Sequence, residues 1–268
     1  MNVSIVTVGM NHLSYLKTLL SSLFCSNNSN ISFEMIYIDN CSTDGSVDFI
    51  KKNYPEVIVI ENQTPMGFGE NNNKGVFASK GEYIAIINPD IEILDGAIEK
   101  LYTFSQKLNE DAIIVPQLLN PDGTLQYSAR SFITLKTLLN RIYTRGDDKV
   151  SNKSVGSYLK KDMDTSKTQN IEWAIGAAFF MRKSLYARLN GFDTDYFLYM
   201  EDEDMCLRSW KNGYSVIYYP SAQMIHNHLR GSFKFGKKTF MHISSMLKFF
   251  WKHGLNIKVP LKGLVYKI

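Results

Sequence analysis

The chain has 268 residues and a formal net charge of +4, with 44% hydrophobic and 21% charged residues, which is the composition of a globular protein and excludes a disordered one. No apolar run approaches the roughly 20 residues that span a bilayer, and the first residues predict a strand because no basic segment precedes the apolar run. Three cysteines without metal or redox spacing (Cys25, Cys41 and Cys206) indicate a reducing compartment.

Strands and helices are predicted to alternate along the first half of the chain. Short apolar runs predict strands at 3–8, 33–38, 57–60, 83–87 and 112–115, and helical spacing of apolar residues predicts helices at 12–24, 46–53, 70–79 and 97–108. This order predicts an α/β fold with a mostly parallel central sheet flanked by helices. We expect ligands outside the carboxyl ends of the strands, where Thr7, Asp39, Asn62, Asn88 and Asp90 lie.

Two segments that follow strands suit a nucleotide. The carboxylate of Asp39, in the turn 39–46, can accept from a base N–H or a ribose hydroxyl. The same turn can form an Asx turn that caps the next helix, and we expect the segment to do both. The first strand is not followed by a GxGxxG dinucleotide fingerprint. The segment 67–75 begins with Gly67 and opens a helix whose N-terminus favours a phosphate; an Asn-rich cap is the alternative.

A divalent metal site is predicted at Asp90. The run Asn88-Pro89-Asp90 leaves an apolar strand, and one carboxylate suffices for Mg²⁺ that bridges a diphosphate. His226 is expected to complete the site and would suit Mn²⁺ better than Mg²⁺. A second Asn-Pro-Asp run at 120–122 continues into Gly and Thr, so it predicts a hairpin turn.

Four acidic residues at 201–204 follow a large apolar run, 197–200. Such a cluster indicates either a catalytic base or cation site, or the acidic first turn of a helix. Trp173, followed by small residues, predicts a platform for a sugar ring, with ordinary core packing as the alternative.

The chain changes character in two later segments. Residues 140–170 are polar with little periodicity and predict a mobile loop. The chain up to Asp204 contains all 26 acidic residues, whereas the charged residues of the remaining tail are all basic. Residues 237–253 predict an amphipathic helix within that basic tail, which suits an anionic partner.

Taken in order, these motifs resemble those of family 2 glycosyltransferases, the inverting enzymes of the GT-A fold, and especially their bacterial rhamnosyltransferase-like members. The resemblance covers more than three quarters of the chain. It rests on the Asp39-Asn40-x-Ser42-x-Asp44-Gly45-Ser46 turn, Gly67-Phe68-Gly69 with Asn72-Asn73-x-Gly75, Asn88-Pro89-Asp90, Trp173-x-x-Gly176-Ala177, Gly191-Phe192-Asp193, and Glu201-Asp202-x-Asp204 with Arg208.

The resemblance implies a nucleotide-sugar donor and a role for each matching residue. Thr7 and Asp39 would contact the nucleoside, Asp90 and His226 would bind Mg²⁺ or Mn²⁺, and Asp202 would be the catalytic base. Further residues of the donor site would be Gly67, Asn73, Asn88, Trp173, Glu201 and Arg208, of which Glu201 and Arg208 are expected to orient and pair within the acidic cluster. Many family members have Asp where this chain has Asn88, which puts less negative charge at the metal.

The implied reaction is inverting transfer of L-rhamnose from dTDP-rhamnose to a hydroxyl of a glycan or lipid-diphosphate-linked acceptor in bacterial surface polysaccharide synthesis. The alternatives are a UDP-sugar-dependent enzyme of the same fold (galactosyl, glucosyl or N-acetylhexosaminyl) and an inactive nucleotide-binding scaffold. A nucleotidyltransferase is disfavoured because no basic Gly-rich loop follows the first strand. We expect a catalytic domain over 1–232 and a basic appendage over 233–268, in a cytoplasmic protein with peripheral contact to anionic membrane and no nucleic-acid partner.

Overall fold

A computed structural model describes residues 1–26, 30–143, 153–227 and 237–255, together with residues 257 and 259. The strands run over β1 Val3–Gly9, β2 Phe33–Asp39, β3 Ile58–Glu61, β4 Tyr83–Ile87, β5 Ile91–Ile93, β6 Ala112–Leu119, β7 Ala129–Arg130, β8 Gln169–Asn170, β9 Trp173–Ala174, β10 Ala178–Arg182 and β11 Ser215–His226. The helices run over α1 Leu13–Cys25, α2 Ser46–Asn53, α3 Phe68–Ala78, α4 Ala97–Lys107, α5 Leu135–Tyr143, α6 Lys153–Tyr158, α7 Lys183–Arg188, α8 Glu201–Lys211 and α9 Lys237–His253.

The main sheet has the strand order β3-β2-β1-β4-β10-β6-β11-β5 within the described residues, and β8 adds to β11. The first four strands in this order pair in parallel, as the alternation of strands and helices predicts. Beyond β4 the sheet is mixed, because β10 runs antiparallel to both β4 and β6 and β5 runs antiparallel to β11. The expected parallel pairing therefore holds for β1 to β4, and the later strand β10 and the short strand β5 add antiparallel pairs.

Side chains on the two faces of the sheet form two apolar clusters. Ile5 of β1 belongs to one cluster and its neighbour Val6 to the other, because successive residues of a strand point to opposite faces. The first cluster, which contains Ile5, packs against α1, α2 and α4. The second cluster, which contains Val6, packs against α3, α7, α8 and α9. The sheet is thus covered on both sides, and polar residues at strand ends remain at its edge.

The structure differs from the sequence-based expectations for the segment 140–170. Its described part contains the end of α5, the helix α6 and the strand β8, while residues 144–152 lie outside the described part. Val155 and Tyr158 of α6 are buried in the second cluster, so tertiary contacts stabilise a helix that the sequence periodicity does not indicate. No helix among the described residues is both long and apolar enough to cross a bilayer.

Candidate active site

The turn after β2 is built around Asp39. The Asp39 carboxylate is buried, and its Oδ2 accepts a hydrogen bond from the backbone N–H of Ser42 at 2.9 Å. Oδ1 receives a long contact of 3.4 Å from the hydroxyl of Tyr37. In the adjacent strand, the buried hydroxyl of Thr7 has no hydrogen-bond partner among the described residues. Asp39 therefore forms the Asx turn and retains acceptor capacity at Oδ1, so the two interpretations of this residue are compatible.

A network of amides joins the ends of β2 and β3 to the start of α3. Asn40 Oδ1 accepts from the backbone N–H of Met66 at 2.8 Å and from Asn62 Nδ2 at 3.1 Å. Asn62 Nδ2 also donates to Asn71 Oδ1 at 2.5 Å, and Lys74 Nζ donates to Asn62 Oδ1 at 2.8 Å. These side chains satisfy one another while largely buried, which fixes the strand-end turns relative to α3.

The glycines of the segment 67–75 allow close contact with neighbouring parts of the protein. A Cβ at Gly67 would lie 3.0 Å from the carbonyl oxygen of Phe197, and that same oxygen accepts from the backbone N–H of Phe68 at 2.9 Å. A Cβ at Gly75 would lie 2.4 Å from Val6. The start of α3 thus packs against the segment before α8, which accounts for a glycine at position 67, and the phosphate contact of Gly67 stays a prediction.

Asn73 and Arg208 also bind the protein itself. Asn73 accepts from the backbone N–H of Phe192 and donates to its carbonyl oxygen. Arg208 donates to the carbonyl oxygens of Leu189 and Gly191 and pairs with a carboxylate of α8. Both side chains therefore hold the turn 189–192. Arg208 pairs within the acidic cluster as expected. The Asn73 side chain, expected to contact the nucleotide-sugar donor, uses both its oxygen and its nitrogen in hydrogen bonds to the protein.

Asp90 and His226 meet where β11 ends beside β5. His226 Nε2 lies 3.5 Å from Asp90 Oδ1, which is too long for a good hydrogen bond. Asp90 Oδ1 is buried and has no hydrogen-bond partner among the described residues. The backbone N–H of Asn227 donates to the Asp90 carbonyl oxygen at 2.8 Å and fixes the two segments together.

The donor set at Asp90 and His226 fits a divalent cation. A buried carboxylate oxygen without a partner is costly, and a cation beside it removes that cost. Within the described residues no cluster of three or more His, Cys, Asp or Glu side chains suited to a metal occurs. The pair would therefore leave the other coordination positions to substrate oxygens and water, as is usual for Mg²⁺ and for related Mn²⁺ sites.

One short segment connects the metal pair to Asp202. The backbone N–H of Asn88 donates to the Ala177 carbonyl oxygen at 2.9 Å, where β4 pairs with β10. The neighbouring Gly176 N–H donates to Asp202 Oδ2, also at 2.9 Å. The end of β4 and the first turn of α8 thus lie on either side of the peptide between Gly176 and Ala177. The structure brings the predicted base and the predicted metal ligands to one edge of the sheet.

Asp202 is held in a fixed orientation at the N-terminus of α8. Its Oδ1 accepts from the backbone N–H of Glu203 at 2.8 Å, while Oδ2 binds Gly176. A Cβ at position 176 would lie 2.9 Å from Asp202 Cβ, so only glycine allows this approach. Burial raises the pKa of Asp202, although the two backbone N–H groups oppose that rise. A carboxylate with a raised pKa is a stronger base once it is ionised.

The two glutamates beside Asp202 are buried more deeply than the base. Burial, followed by the charge of Asp202, raises the pKa of Glu201 to about 8. Burial raises the pKa of Glu203 well above its usual range, although its carboxylate accepts from the backbone N–H of Ile133 at 2.6 Å. Burial therefore favours the neutral form of both groups, and a pKa of about 8 keeps Glu201 mostly neutral near pH 7, which limits the repulsion around Asp202.

Asp204 anchors the last helix and stays ionised. Its carboxylate pairs with Arg208 at 2.6 Å and with His253 Nε2 of α9 at 2.7 Å. Burial alone would raise the pKa of Asp204, but the hydrogen bond from His253 and the charge of Arg208 outweigh it and hold the pKa below its usual value. The acidic cluster thus contains one ion-paired carboxylate, one candidate base and two groups that favour the neutral form. The interpretation as the acidic first turn of a helix is confirmed, and the role of Asp202 as a catalytic base stays a prediction.

Trp173 does not form the predicted sugar platform. Its side chain is only 6% exposed and belongs to the apolar cluster, with the ring beside Tyr158. The indole N–H donates to the Ser131 carbonyl oxygen at 2.8 Å. The core interpretation fits Trp173, because its ring packs within the apolar cluster beside Tyr158.

Three residues of the site were not assigned a role from the sequence. Gly176 was recognised only as part of a motif, although its contact with Asp202 gives a direct reason for glycine. Arg130 lies near the acidic cluster, where its positive charge lowers the pKa of both Asp202 and Glu203. Gln126 accepts from the His226 ring. Their sequence signals are weak because each acts on a residue distant in the chain.

Comparisons with known proteins identify the family of this chain. The family model of glycosyl transferase family 2 matches residues 4–189. The N-acetylglucosaminyl-diphospho-decaprenol L-rhamnosyltransferase of Mycobacterium tuberculosis is 26% identical over 230 residues, which cover 80% of this chain and 72% of the relative. Rhamnosyltransferase WbbL of Escherichia coli K12 is 27% identical over 269 residues, covering 92% of each chain.

Solved structures share the fold at lower identity. Staphylococcus aureus TarS 1-349 in complex with UDP-GlcNAc has a TM-score of 0.60 at 17% identity; the match covers 86% of this chain but only 60% of that one. The mannosyltransferase PcManGT of Pyrobaculum calidifontis, in complex with GDP-Man and Mn²⁺, has a TM-score of 0.63 at 14% identity and covers 97% of this chain and 66% of that one. The fold is therefore the GT-A fold, and the chain belongs to glycosyl transferase family 2 and is a glycosyltransferase.

Proposed function

We propose that this chain transfers a sugar from a nucleoside diphosphate donor to an acceptor hydroxyl, with inversion at the anomeric carbon. The single observation that supports this most strongly is the Gly176–Ala177 segment. It binds Asp202 on one side and the Asn88-Pro89-Asp90 run on the other. A base for the acceptor and a site for the leaving diphosphate are thus held at a fixed separation, as a single displacement requires.

In this reaction the acceptor oxygen forms a bond to the anomeric carbon while the bond from that carbon to the diphosphate oxygen breaks. Asp202 takes the proton of the attacking hydroxyl, and the electron pair of the broken bond goes to the leaving diphosphate. A divalent cation, Mg²⁺ or Mn²⁺, bound by Asp90 and His226 would supply positive charge for that leaving group. Asp39 Oδ1 and the unpartnered Thr7 hydroxyl would hydrogen-bond the nucleoside.

We propose L-rhamnose as the sugar and dTDP-rhamnose as its donor. Two relatives of this chain are named rhamnosyltransferases, and one acts, by its name, on a decaprenol-linked diphosphate sugar. The proposed acceptor is accordingly a hydroxyl of a glycan or a lipid-diphosphate-linked sugar in bacterial surface polysaccharide synthesis. UDP-sugars remain the second candidate donors because TarS, which shares the fold, is solved with UDP-GlcNAc.

The test compares Asp202→Asn with the unchanged chain in a transfer assay with dTDP-rhamnose and UDP-sugars. Asparagine keeps the Oδ acceptor for the Gly176 N–H but cannot take a proton, so folding is expected to persist and kcat to fall about 10²- to 10⁴-fold. Retained turnover in the variant would refute the assignment of the base. Turnover of the unchanged chain with UDP-sugars alone would refute rhamnose and leave the reaction class intact.

We also propose that residues 233–268 form an appendage that docks the catalytic domain, residues 1–232, on an anionic membrane surface at the cytoplasmic side. Four large apolar side chains lie along one exposed face of α9, and the opposite face is buried through Phe249. The exposed side chains are Phe240, Ile243, Leu247 and Trp251. The segment 233–268 contains no acidic residue, so it has the charge that anionic lipids attract.

A further inference from the structure

Gln126 has no role in the reaction described above, yet it contacts the proposed metal ligand His226. The His226 ring is 3% exposed, and its Nδ1 lies 2.6 Å from Gln126 Oε1. Its other nitrogen, Nε2, faces Asp90 Oδ1 at 3.5 Å. Because an amide oxygen only accepts hydrogen bonds, a short contact to it requires that Nδ1 bears the proton.

The orientation of the Gln126 amide is fixed by backbone carbonyl groups. Gln126 Nε2 donates to the His226 carbonyl oxygen at 3.4 Å and to Asn120 Oδ1 at 3.1 Å. Asn120 Nδ2 in turn donates to the Leu125 carbonyl oxygen at 3.3 Å. A carbonyl oxygen accepts and never donates, so each NH₂ group must point as described and the Gln126 oxygen must face the ring.

The second Asn-Pro-Asp run, residues 120–122, holds these hydrogen-bonded side chains in place. Residues 120–123 form a tight turn, in which the Gly123 N–H donates to the Asn120 carbonyl oxygen at 2.9 Å and Gly123 has a φ of +79°. Asp122 Oδ1 accepts from the Thr124 hydroxyl at 2.5 Å, and the Thr124 oxygen accepts from Asn120 Nδ2 at 2.9 Å. The turn thus holds Asn120, and Asn120 holds the Gln126 amide.

We propose that Gln126, oriented by Asn120 in the turn 120–123, is a positioning residue that keeps His226 in the Nδ1–H tautomer and so directs the Nε2 lone pair toward Asp90. This inference rests on the proposed metal site, because only an unprotonated Nε2 can bind a cation. Hydrogen bonds of this kind to the second ring nitrogen fix the ring and its tautomer, and their loss lowers metal affinity about 10- to 100-fold.

The experiment uses the full chain labelled with ¹⁵N-histidine, without metal, at a pH above 8. Long-range ¹H–¹⁵N spectra distinguish the two neutral tautomers, and His226→Gln assigns the signal among the five histidines. The unchanged chain is expected to give the Nδ1–H tautomer at His226. Gln126→Leu is expected to shift that signal toward the Nε2–H tautomer and to weaken Mn²⁺ binding, measured by calorimetry, about 10- to 100-fold. Gln126→Glu keeps an acceptor and is expected to retain the Nδ1–H signal.

Gln117→Leu is the matched control. Gln117 is also partly buried and donates to the Tyr218 hydroxyl at 2.9 Å, so its loss perturbs the same strand region through contacts that do not include His226. The His226 signal should be unchanged in this variant. An Nε2–H tautomer or a charged ring in the unchanged chain, or an unchanged signal in Gln126→Leu, would overturn the proposal. An Nδ1–H tautomer without any Mn²⁺ binding would support the positioning role and refute the metal site instead.

Discussion

At the scale of single residues, the site depends on one backbone approach, that of Gly176 to Asp202. Replacing Gly176 by alanine would place a Cβ 2.9 Å from Asp202 Cβ, below normal contact distance. The carboxylate must then move away from the Gly176 N–H. A displacement of about 1 Å in a catalytic group reduces the rate by roughly 10²-fold. We expect Gly176→Ala to lower kcat by about that factor, measured in the transfer assay with saturating donor.

Gly156→Ala is the control for this variant. A Cβ at Gly156 meets nothing within 4 Å, and the residue lies in α6, where alanine is favoured over glycine by roughly 1 kcal/mol. The control should therefore retain full activity and gain slight stability. Equal loss of activity in both variants would show that the effect is unrelated to Asp202.

The neutral form of Glu201 predicts a pH dependence of stability. Its pKa is raised from 4.5 to about 8 by burial, so the folded state binds the proton more strongly than the unfolded state does. Its contribution is therefore most favourable below pH 4.5 and is lost as pH rises toward 8. Glu201→Gln removes this titration, so we expect the variant to exceed the unchanged chain in Tm by several degrees at pH 8.5 and to show a smaller advantage at pH 5.5.

Thermal unfolding across this pH range measures the difference. Glu61→Gln is the control, because the Glu61 carboxylate lies on the surface, paired with Lys51. A Tm difference between Glu201→Gln and the unchanged chain that does not vary with pH would contradict a raised pKa at Glu201.

At the scale of elements, α9 is held by two sets of contacts. His253 pairs with Asp204 of α8, and Lys252 pairs with Asp193 and Asp195 in the segment before α8. Phe249 is fully buried between these attachments. The second half of the α9 helix therefore packs against the proposed catalytic domain, and the basic side chains of Lys252 and His253 pair with its carboxylates. The charge asymmetry of the sequence overstates how much positive charge is available to a partner.

Asp204→Asn tests this attachment. It leaves Arg208 and His253 next to a neutral, buried side chain, and breaking a buried ion pair costs about 3–5 kcal/mol. We expect that loss in the free energy of unfolding, measured by urea denaturation. Lys51→Ala breaks the exposed pair with Glu61 and should leave the free energy of unfolding nearly unchanged, because water and salt screen exposed charges. Similar losses in the two variants would contradict the structural role of Asp204.

At the scale of the whole molecule, the proposed base Asp202 and the proposed metal ligand Asp90 lie at one edge of the sheet, and the apolar face of α9 is exposed. If that face docks on lipid, Leu247→Ser together with Trp251→Ser should abolish sedimentation with vesicles that contain anionic phosphatidylglycerol, while transfer to a water-soluble acceptor persists. Both side chains are exposed, at 64% and 85%, so the substitutions should leave folding intact.

Deleting residues 234–268 would be a poorer test, because it also removes Phe249 and His253 from the core. The control is Phe77→Ser, which removes another exposed aromatic residue, 90% exposed, on α3. Unchanged vesicle binding in the double variant would contradict the docking surface. Equal loss in the control would indicate nonspecific binding through any apolar side chain.

The sequence by itself determined the alternation of strands and helices, because periods of 2 and 3.6 residues are local properties. It also determined that Asp39, Asn88 and Asp90 follow strands, and hence lie at one edge of the sheet. The ends of β1, β2 and β4 were predicted within one residue for this reason. The hairpin at 120–123 was equally predictable, because Asn, Pro, Asp and Gly specify a turn through their own backbone preferences.

Only the tertiary structure decided which distant residues meet. The contact of His226 with Asp90 depends on the strand order, in which β5 pairs with β11. The contact of Gly176 with Asp202 depends on how α8 packs beside the start of β10. The burial of Trp173 depends on packing within an apolar cluster that includes Tyr158 of α6, a helix that no local pattern indicates. Contacts between residues far apart in the chain arise from packing of whole elements, so residue spacing predicts the composition of the site and packing decides its geometry.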